Sequence, residues 1–305
     1  MPDTDVIIIG GGGSGLTAAL YTSRANLNTI LFEKLTPGGQ IALTDVVENY
    51  PGFPEGVTGP EISMKMEEQA KKYGTQVVYE EVKTLTKLDK GFTVQTSSNT
   101  YKAGALILAT GASFRMIGVP GERELTGKGV SYCATCDGAF FKGKEVVVVG
   151  GGDSALQEGL FLTRFATKVT VIHRRDKLRA SPILQDRAKS HEKIKFIWDT
   201  VVEKVIGEKK VEAVALKNLK TGAVENFKTD GIFVFIGHDP NTAFLKGFVA
   251  VDEKGYVVTD PFLKTSVPGV FAAGEIRAGA VKQLVAAAGE GCEAALAAQA
   301  FLEDH

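Results

Sequence analysis

Two glycine-rich turns, each entered from a buried strand, constrain the fold of this chain more than any other feature. The apolar run at 6–9 leads into Gly10, and the run at 146–149 leads into Gly150. Continuous apolar runs of this length are typical of strands buried on both faces of a parallel sheet. A helical pattern and a second apolar strand follow each turn, so each region predicts a βαβ unit. The repeat predicts an α/β fold with two Rossmann-like dinucleotide-binding domains.

The composition fits a soluble protein with room for two domains. The chain has 305 residues, 44% of them hydrophobic and 23% charged, and a net charge of −1. That charge gives no electrostatic attraction to nucleic acid or to an anionic membrane. No run of about 18 uncharged apolar residues predicts a transmembrane helix. The short acidic start has neither the basic nor the apolar part of a secretion signal. The expectation is a cytoplasmic protein that binds neither nucleic acid nor membrane.

The first glycine turn carries a complete dinucleotide fingerprint. Gly10, Gly12 and Gly15 form a G-x-G-x-x-G pattern. In such patterns the first glycine permits the tight turn, the second lets a pyrophosphate approach, and the third lets helix and strand pack closely. Glu33 ends the next strand, where an acid accepts a hydrogen bond from a ribose hydroxyl. Strand, turn, helix and terminal acid together predict a nucleotide site.

The second turn carries the G-x-G-x-x-A variant at Gly150, Gly152 and Ala155. Its second strand ends in a basic cluster instead of an acid. The cluster consists of His173, Arg174, Arg175 and Arg179. Guanidinium groups bind phosphate in a bidentate manner, whereas an acid would repel a 2′-phosphate. This site therefore predicts NADP(H) rather than NAD(H); the alternative is a solvated basic turn.

A cysteine pair lies between the two fingerprints. Cys133 and Cys136 are spaced as Cys-x-x-Cys, and Asp137 follows directly. This spacing lowers a thiolate pKa and closes a small disulfide ring, so it favours redox chemistry. A zinc site would need a second pair of ligands, and Cys292 lies far away in an apolar segment where we expect a small core residue. A dithiol between two nucleotide sites predicts an electron relay from a nicotinamide through a flavin to another disulfide.

Ordered segments along nearly the whole chain resemble one family. They are Gly38-Gly39-Gln40, 47–53, 109–112, 133–138, 150–155, His173-Arg174-Arg175 with Arg179, 235–238 and 274–291. This set closely resembles the low-molecular-weight, bacterial-type thioredoxin reductases, which are class II pyridine nucleotide-disulfide oxidoreductases. The resemblance implies two three-layer ββα domains. The FAD domain would comprise 1–113 and 244–305, with an NADPH domain that carries the dithiol inserted at 114–243. It also implies a homodimer and a rotation between domains.

The resemblance implies site residues for both cofactors. The FAD site would comprise Gly10, Gly12, Gly15, Glu33, Gly39, Gln40, Asn49, Thr110, Gly111, Gly274, Glu275 and Gln283. The NADPH site would comprise Gly150, Gly152, Asp153, Ser154, Ala155, His173, Arg174, Arg175 and Arg179. Asp137 matches the acid–base residue of the family, and Cys136 would lie nearer the flavin. From that placement we expect Cys133 to attack the acceptor disulfide.

Two departures from the family pattern affect the FAD side. Gly274-Glu275 stands where the family usually has Gly-Asp, so the acid that contacts the ribityl–phosphate region is one methylene longer. Gly13-Ser14 stands where Pro-Ala is common, which costs unfolded-state entropy without blocking binding. No metal site is expected.

The expected activity is NADPH-dependent reduction of the thioredoxin disulfide through FAD and the Cys133–Cys136 dithiol. One alternative is a flavoprotein that reduces another small protein disulfide, as the partner of a peroxidase does. Such partners carry an extra N-terminal thioredoxin-like region, whereas here the flavin strand begins at about Asp5. A second alternative is a nucleotide-binding redox sensor without sustained turnover.

Overall fold

The structure, a computed structural model, describes residues 4–44, 46–47, 49–245 and 247–304. It divides the chain into two compact units. The first unit comprises Met1–Ser113 and Asp239–His305, and the second comprises Phe114–His238. The first unit is therefore built from both ends of the chain, and the second is inserted into it.

The first unit resumes at Asp239, five residues before the position 244 that the sequence predicts. Hydrogen bonds explain why the intervening segment belongs to the first unit. Thr110 Oγ1 donates to the carbonyl of Asn241, and Asn241 Nδ2 donates to the carbonyl of Thr110, both at 2.8 Å. Thr242 Oγ1 donates to the Gly255 carbonyl at 2.8 Å. These long-range contacts carry no signal in the local sequence.

The secondary structure of the described residues follows the predicted alternation. The helices are α1 (Gly13–Arg24), α2 (Gly59–Lys72), α3 (Ala134–Asp137), α4 (Asp153–Leu162), α5 (Pro182–Ser190) and α6 (Leu284–Glu303). The strands are β1 (Thr4–Ile9), β2 (Thr29–Phe32), β3 (Gln76–Val78), β4 (Val82–Lys87), β5 (Phe92–Thr96), β6 (Thr100–Leu108), β7 (Ala112–Phe114), β8 (Val130–Ser131), β9 (Glu145–Gly150), β10 (Lys168–Ile172), β11 (Ile194–Ile197), β12 (Thr200–Ile206), β13 (Ala213–Asn218), β14 (Val224–Lys228), β15 (Gly231–Phe235), β16 (His238–Pro240) and β17 (Val270–Ala272). None of these helices is long and apolar enough to cross a lipid bilayer.

The sheet of the first unit has the order β3-β2-β1-β6-β5-β4, with β17 also paired to β6. The long strand β6 changes partner along its length. Its first half, at Thr100–Ala103, pairs antiparallel with β5, and its second half, at Leu106–Leu108, pairs parallel with β17. The antiparallel strands β4 and β5 thus form a second β layer beside the parallel part of the sheet. This is the β layer that the ββα prediction requires.

Two apolar layers cover the parallel strands of the first unit. On one face, Val6 and Ile8 of β1 pack with Leu16 of α1 and Ala294 of α6. On the other face, Ile7 of β1 packs with residues of β4, β5 and β6. Side chains of a strand alternate between faces, so the continuous apolar run of β1 fills both layers. The carboxyl ends of β1, β6 and β17 then lie at one edge of the sheet.

The second unit repeats this plan. Its parallel sheet has the order β11-β10-β9-β15-β8, and β12, β13 and β14 form a separate antiparallel sheet. Val148 on one face of β9 packs with helices α4 and α5, whereas Val147 on the other face packs with the antiparallel sheet. The predicted α/β class and the two Rossmann-like units are confirmed.

Candidate functional site

The first fingerprint forms a crowded turn with one open position. Gly10 has φ of +107°, and a Cβ there would lie 2.4 Å from the Ala109 carbonyl oxygen. A Cβ on Gly15 would lie 1.8 Å from the Gly10 carbonyl oxygen. Gly12 differs: a Cβ there would meet no protein atom within 4 Å. Gly12 also caps α1 without a side-chain hydrogen bond. The free N–H groups of this helix start therefore face open space, which suits a pyrophosphate.

Glu33 follows the end of β2 beside this turn. Its Oε2 accepts from the Gly11 N–H at 2.9 Å, and its Oε1 accepts from the Leu35 N–H at 3.0 Å. Gly38 is part of the same arrangement because its N–H donates to the Gly11 carbonyl at 2.7 Å. The carboxylate is thus fixed by backbone donors at the strand end, where a ribose hydroxyl can donate to it.

Other predicted FAD residues surround the same edge of the sheet. Gly39 begins a 3₁₀ turn that contains Gln40. Gly111 follows β6 with φ of +63° and open space around its Cα, next to Thr110. Asn49 Nδ2 donates to Gln283 Oε1 at 3.0 Å, directly before α6.

Gly274 follows β17 and is held by the partly buried ion pair between Arg277 and Glu290. Its N–H donates to Glu290 Oε2 at 2.7 Å, and Arg277 Nη2 donates to Glu290 Oε1 at 2.6 Å. Arg277 Nη1 also donates to Thr259 Oγ1 at 2.9 Å. The local sequence carries no signal for this pair, because its partners belong to different elements and match no motif.

Glu275 is the next residue, and one of its carboxyl oxygens lacks a hydrogen-bond partner in the described part of the chain. Its Oε2 is buried and has no hydrogen-bond partner among the described residues. Burial raises the pKa of this carboxyl, and the nearby Lys282 opposes that effect. A buried orphan acceptor is costly unless a ligand pairs with it. The buried Oε2 of Glu275 is therefore suited to pair with a polar group of a bound FAD.

Replacing Glu275 by alanine is expected to weaken FAD retention, because it removes this buried acceptor. A lost hydrogen bond to a charged group costs about 1.5–3 kcal/mol, or about 10- to 100-fold in Kd. Flavin release on dilution, followed by fluorescence, measures the effect. Glu253→Ala is the control, because Glu253 is exposed in the same unit. Unchanged affinity in Glu275→Ala would show that the longer side chain does not reach the cofactor.

The Gly13-Ser14 departure has a packing explanation. A Cβ on Gly13 would lie 2.3 Å from Leu284 Cδ1 of α6. Ser14 Oγ donates to the Ala273 carbonyl at 3.3 Å. A Cβ on Gly291 would lie 2.2 Å from the Ser14 carbonyl oxygen. Glycine at 13 and 291 thus allows α1 and α6 to approach closely.

The second fingerprint has the same geometry. Gly150 has φ of +154°, and a Cβ there would lie 2.6 Å from Ala155 Cβ and from the Phe235 carbonyl oxygen. Gly152 caps α4 without a side-chain hydrogen bond, and a Cβ there would meet nothing within 4 Å. Asp153 and the exposed Ser154 begin the helix, and Asp153 Oδ1 accepts from the Ser181 N–H at 2.6 Å. This helix start also presents free N–H groups to open space.

The basic cluster lies at the end of β10 beside this turn. Arg174, Arg175 and Arg179 are exposed. The Arg179 N–H donates to the Gly151 carbonyl at 2.7 Å, so the cluster is attached to the fingerprint through its backbone. The three exposed guanidinium groups therefore lie on a turn that is hydrogen-bonded to the second fingerprint.

His173 differs from the arginines because it does not face solvent. Its side chain is buried, and Nε2 donates to the Lys177 carbonyl at 3.0 Å. Burial lowers the pKa of His173, and its hydrogen bonds to the Lys177 and Gly150 backbone only partly offset this. A Cβ on Gly151 would collide with its ring. The hydrogen bond to Lys177 places His173 within the turn that carries the arginines. Its supporting role in the NADPH site stays a prediction.

The cysteine pair is a disulfide at the start of α3. The Cα atoms of Cys133 and Cys136 lie 5.3 Å apart. Both side chains are partly exposed, and Cys133 Sγ accepts from the Cys136 N–H at 3.2 Å. Asp137 ends the helix, and its N–H donates to the Cys133 carbonyl at 3.1 Å. A backbone N–H aimed at a sulfur stabilises its thiolate, which suits disulfide exchange. No trio of His, Cys, Asp or Glu side chains within the described ranges could hold a metal ion.

Two further residues differ from expectation or were missed. Cys292 is half-buried instead of part of the core, and its hydrogen bond with Tyr21 raises the pKa of that phenol. Glu158 on α4 has a buried Oε2 without a partner among the described residues. No motif marks Glu158, because its place beside α3 depends on packing.

Comparisons with known proteins agree with this arrangement. The profile of the family described as pyridine nucleotide-disulphide oxidoreductase matches residues 4–291. The thioredoxin reductase of Bacillus subtilis is 52% identical over 301 residues, which is 98% of this chain and 95% of that protein. The thioredoxin reductase of Listeria innocua is 51% identical over 301 residues, with 98% and 94% covered.

A solved structure is also closely similar. The crystal structure of thioredoxin reductase from Streptococcus pyogenes has a TM-score of 0.96 at 44% identity and covers 99% of both chains. The profile match, the long alignments and the fold agree with the paired fingerprints and the dithiol. The chain belongs to the pyridine nucleotide-disulphide oxidoreductase family, among its low-molecular-weight thioredoxin reductases.

Proposed function

We propose that this chain uses NADPH and FAD to reduce the disulfide of a thioredoxin, with Cys133 and Cys136 as the redox dithiol. The observation that carries the proposal is the Cys133–Cys136 disulfide in a chain that also holds two open helix starts at dinucleotide fingerprints. When bound, NADPH would supply a hydride, and FAD would supply two electrons for reduction of the Cys133–Cys136 disulfide. The residues of the chain bind the two nucleotides and present the sulfurs.

Each group of residues has a defined task in this proposal. The first fingerprint, Glu33 and Glu275 hold FAD, and the second fingerprint with the exposed arginines holds NADPH. His173 and Asp153 keep the basic turn next to the second fingerprint through hydrogen bonds. Two-electron reduction opens the S–S bond and leaves a thiolate and a thiol. The thiolate attacks the acceptor disulfide, and Asp137 exchanges a proton with the departing sulfur.

The attacking role of Cys133 stays a prediction. Its support is the Cys136 N–H, which points at Cys133 Sγ and would stabilise a thiolate there. Trapping of a mixed disulfide identifies the attacking cysteine. Cys136→Ser is expected to form a mixed disulfide with thioredoxin through Cys133. Trapping by Cys133→Ser instead would assign the attack to Cys136.

We also propose that the chain works as a homodimer in the cytoplasm. The support is its similarity to thioredoxin reductases over 98% of its length. Sedimentation of the purified protein measures the oligomeric state. A turnover assay with NADPH and thioredoxins from the same cell tests the acceptor. Sustained reduction of another small disulfide protein, but of no thioredoxin, would favour the peroxidase-partner alternative, and no turnover with either would favour a redox sensor.

The substitutions Gly12→Ala and Gly152→Ala are a matched pair of tests for the two nucleotide sites. The backbones are extended, with φ of −75° and −97°, and no atom of the described residues lies within 4 Å of either added Cβ. The unfolding free energy of the cofactor-free protein should change by less than about 1 kcal/mol. The added methyl group would instead fill space that a pyrophosphate needs.

Gly12→Ala is expected to weaken FAD binding, and Gly152→Ala to weaken NADPH binding, each by about 1–3 kcal/mol. Titration of each nucleotide against each variant gives four affinities, so each variant is the control for the other. Loss of both nucleotides in one variant, or of neither, would contradict the assignment of one nucleotide to each turn.

A further inference from the structure

The face of α4 that carries Glu158 is packed against the dithiol helix α3. Ala155 and Leu162 lie on this face, three residues before and four residues after Glu158, and both share a buried cluster with Ala134. A Cβ on Gly138 would lie 3.2 Å from a methyl carbon of Leu162. The spacing therefore turns the Glu158 side chain toward the start of α3.

The Glu158 carboxyl has one backbone partner and one orphan oxygen. The backbone of Ala134, the residue between the two cysteines that begins α3, interacts with this carboxyl. The N–H groups in the first turn of a helix lack partners within the helix, so an acid from elsewhere can satisfy one of them. The other oxygen, Oε2, is buried without a partner in the described part of the chain. Burial raises the pKa of Glu158, and the Ala134 backbone only partly opposes it.

Few other charges act on this carboxyl. The ionisable groups of α3 are the two cysteines and Asp137. From α5, Leu184 and Ala188 are the buried residues, whereas its charged side chains are exposed. The strands β9, β10 and β15 contribute apolar residues to the cluster. Besides Asp137, a thiolate formed on reduction would therefore be the negative charge at α3 that competes with the Glu158 carboxylate.

We propose that Glu158 is a positioning residue for the dithiol. Its carboxyl accepts a hydrogen bond from the Ala134 backbone N–H, and either this carboxyl or a reduced sulfur, but not both, carries a negative charge. Two neighbouring groups cannot both ionise freely in a poorly solvated site. When the opened disulfide carries a thiolate, Glu158 keeps its proton. When Glu158 gives up its proton to water, the thiolate becomes harder to form and the sulfur takes up a proton. No electrons move in this exchange, and the inference rests on the proposed redox role of the dithiol.

The first test is the pH profile of alkylation in the protein reduced with dithiothreitol. Iodoacetamide reacts with the thiolate, and mass spectrometry separates the peptide carrying Cys133 and Cys136 from the one carrying Cys292. Glu158→Gln keeps an acceptor for the Ala134 N–H but removes the charge. It is expected to shift the alkylation profile to lower pH by about one unit. Glu192→Gln is the matched control, because Glu192 is exposed in the same unit.

The second test uses the oxidised protein and needs no turnover. A carboxyl whose pKa is raised by folding contributes stability below its ordinary pKa and loses it as pH rises through the folded value. The wild type is therefore expected to lose thermal stability relative to Glu158→Gln as the pH rises above the ordinary glutamate pKa of 4.5 and through the raised pKa of Glu158. Glu158→Leu removes charge and acceptor together, so its melting temperature should lie below that of Glu158→Gln.

The outcomes separate this inference from the proposed function. Alkylation profiles of Glu158→Gln that match the wild type would overturn the shared charge, whatever the turnover rate. Equal melting temperatures of the Gln and Leu variants would overturn the contact with the Ala134 N–H. The protein could instead reduce no disulfide and still show the expected changes in alkylation and in melting temperature. That result would contradict the proposed function but support the charge coupling between Glu158 and the sulfurs.

Discussion

Replacing either Cys133 or Cys136 by serine is expected to reduce NADPH-dependent reduction of thioredoxin to background. The two sulfurs form one disulfide, and a serine oxygen can neither close it nor attack an acceptor. Both variants should still let NADPH bleach the flavin, because hydride transfer does not involve the dithiol. Stopped-flow absorbance measures the bleaching, and a coupled thioredoxin assay measures the turnover.

Cys292→Ser is the control for these two variants. Cys292 is a free thiol in the first unit, whereas the disulfide belongs to the second. It should keep full activity in both assays. If Cys133→Ser or Cys136→Ser keeps full reductase activity, the relay through the disulfide is wrong. If either variant also loses flavin bleaching, the dithiol has a role before the disulfide step.

Neutral replacements of Arg174 and Arg175 together are expected to raise the KM for NADPH and to leave NADH nearly unaffected. Each lost charge-assisted contact with the 2′-phosphate costs about 1.5–3 kcal/mol, or about 10- to 100-fold. The guanidinium groups are exposed at the end of β10, and the backbone holds their turn next to the fingerprint. The replacements should therefore leave the fold intact.

Steady-state kinetics with both coenzymes measure this preference. Arg187→Gln is the control for each single replacement, because Arg187 is exposed on α5 of the same unit and its substitution also removes one positive charge. Higher ionic strength should weaken NADPH binding in the wild type more than in the double variant, because fewer charges remain to be screened. Equal rates with NADPH and NADH in the wild type would contradict the assignment.

Local sequence was sufficient to predict the two βαβ units, because each depends on a short apolar run and a glycine turn. Gly10 and Gly150 have the positive φ angles that these turns require. The Cys133–Cys136 redox pair is likewise predicted from its Cys-x-x-Cys spacing, together with the lack of a second pair of zinc ligands in the sequence. These features are determined by residues close together in the chain, so their pattern is visible before the fold is known.

Features that depend on distant residues could not be predicted. The change of partner along β6, the hydrogen bonds that place Asn241 in the first unit and the burial of His173 all require tertiary contacts. The same is true of Glu158. In the sequence it cannot be distinguished from an exposed acid on a helix, because its burial depends on the packing of α3 against α4. Buried acids without a motif are therefore the residues of this site that only a structure reveals.

The division of the first unit between both ends of the chain has a consequence for synthesis on the ribosome. Strand β17 completes the sheet beside β6, and α6 packs against α1, so the first unit cannot close until residues 239–303 have emerged. The second unit is continuous and can fold while those residues are still being made. The nascent chain would thus present its cysteine pair in a finished unit before the flavin unit is complete, and reducing conditions in the surroundings would determine the first redox state of that pair.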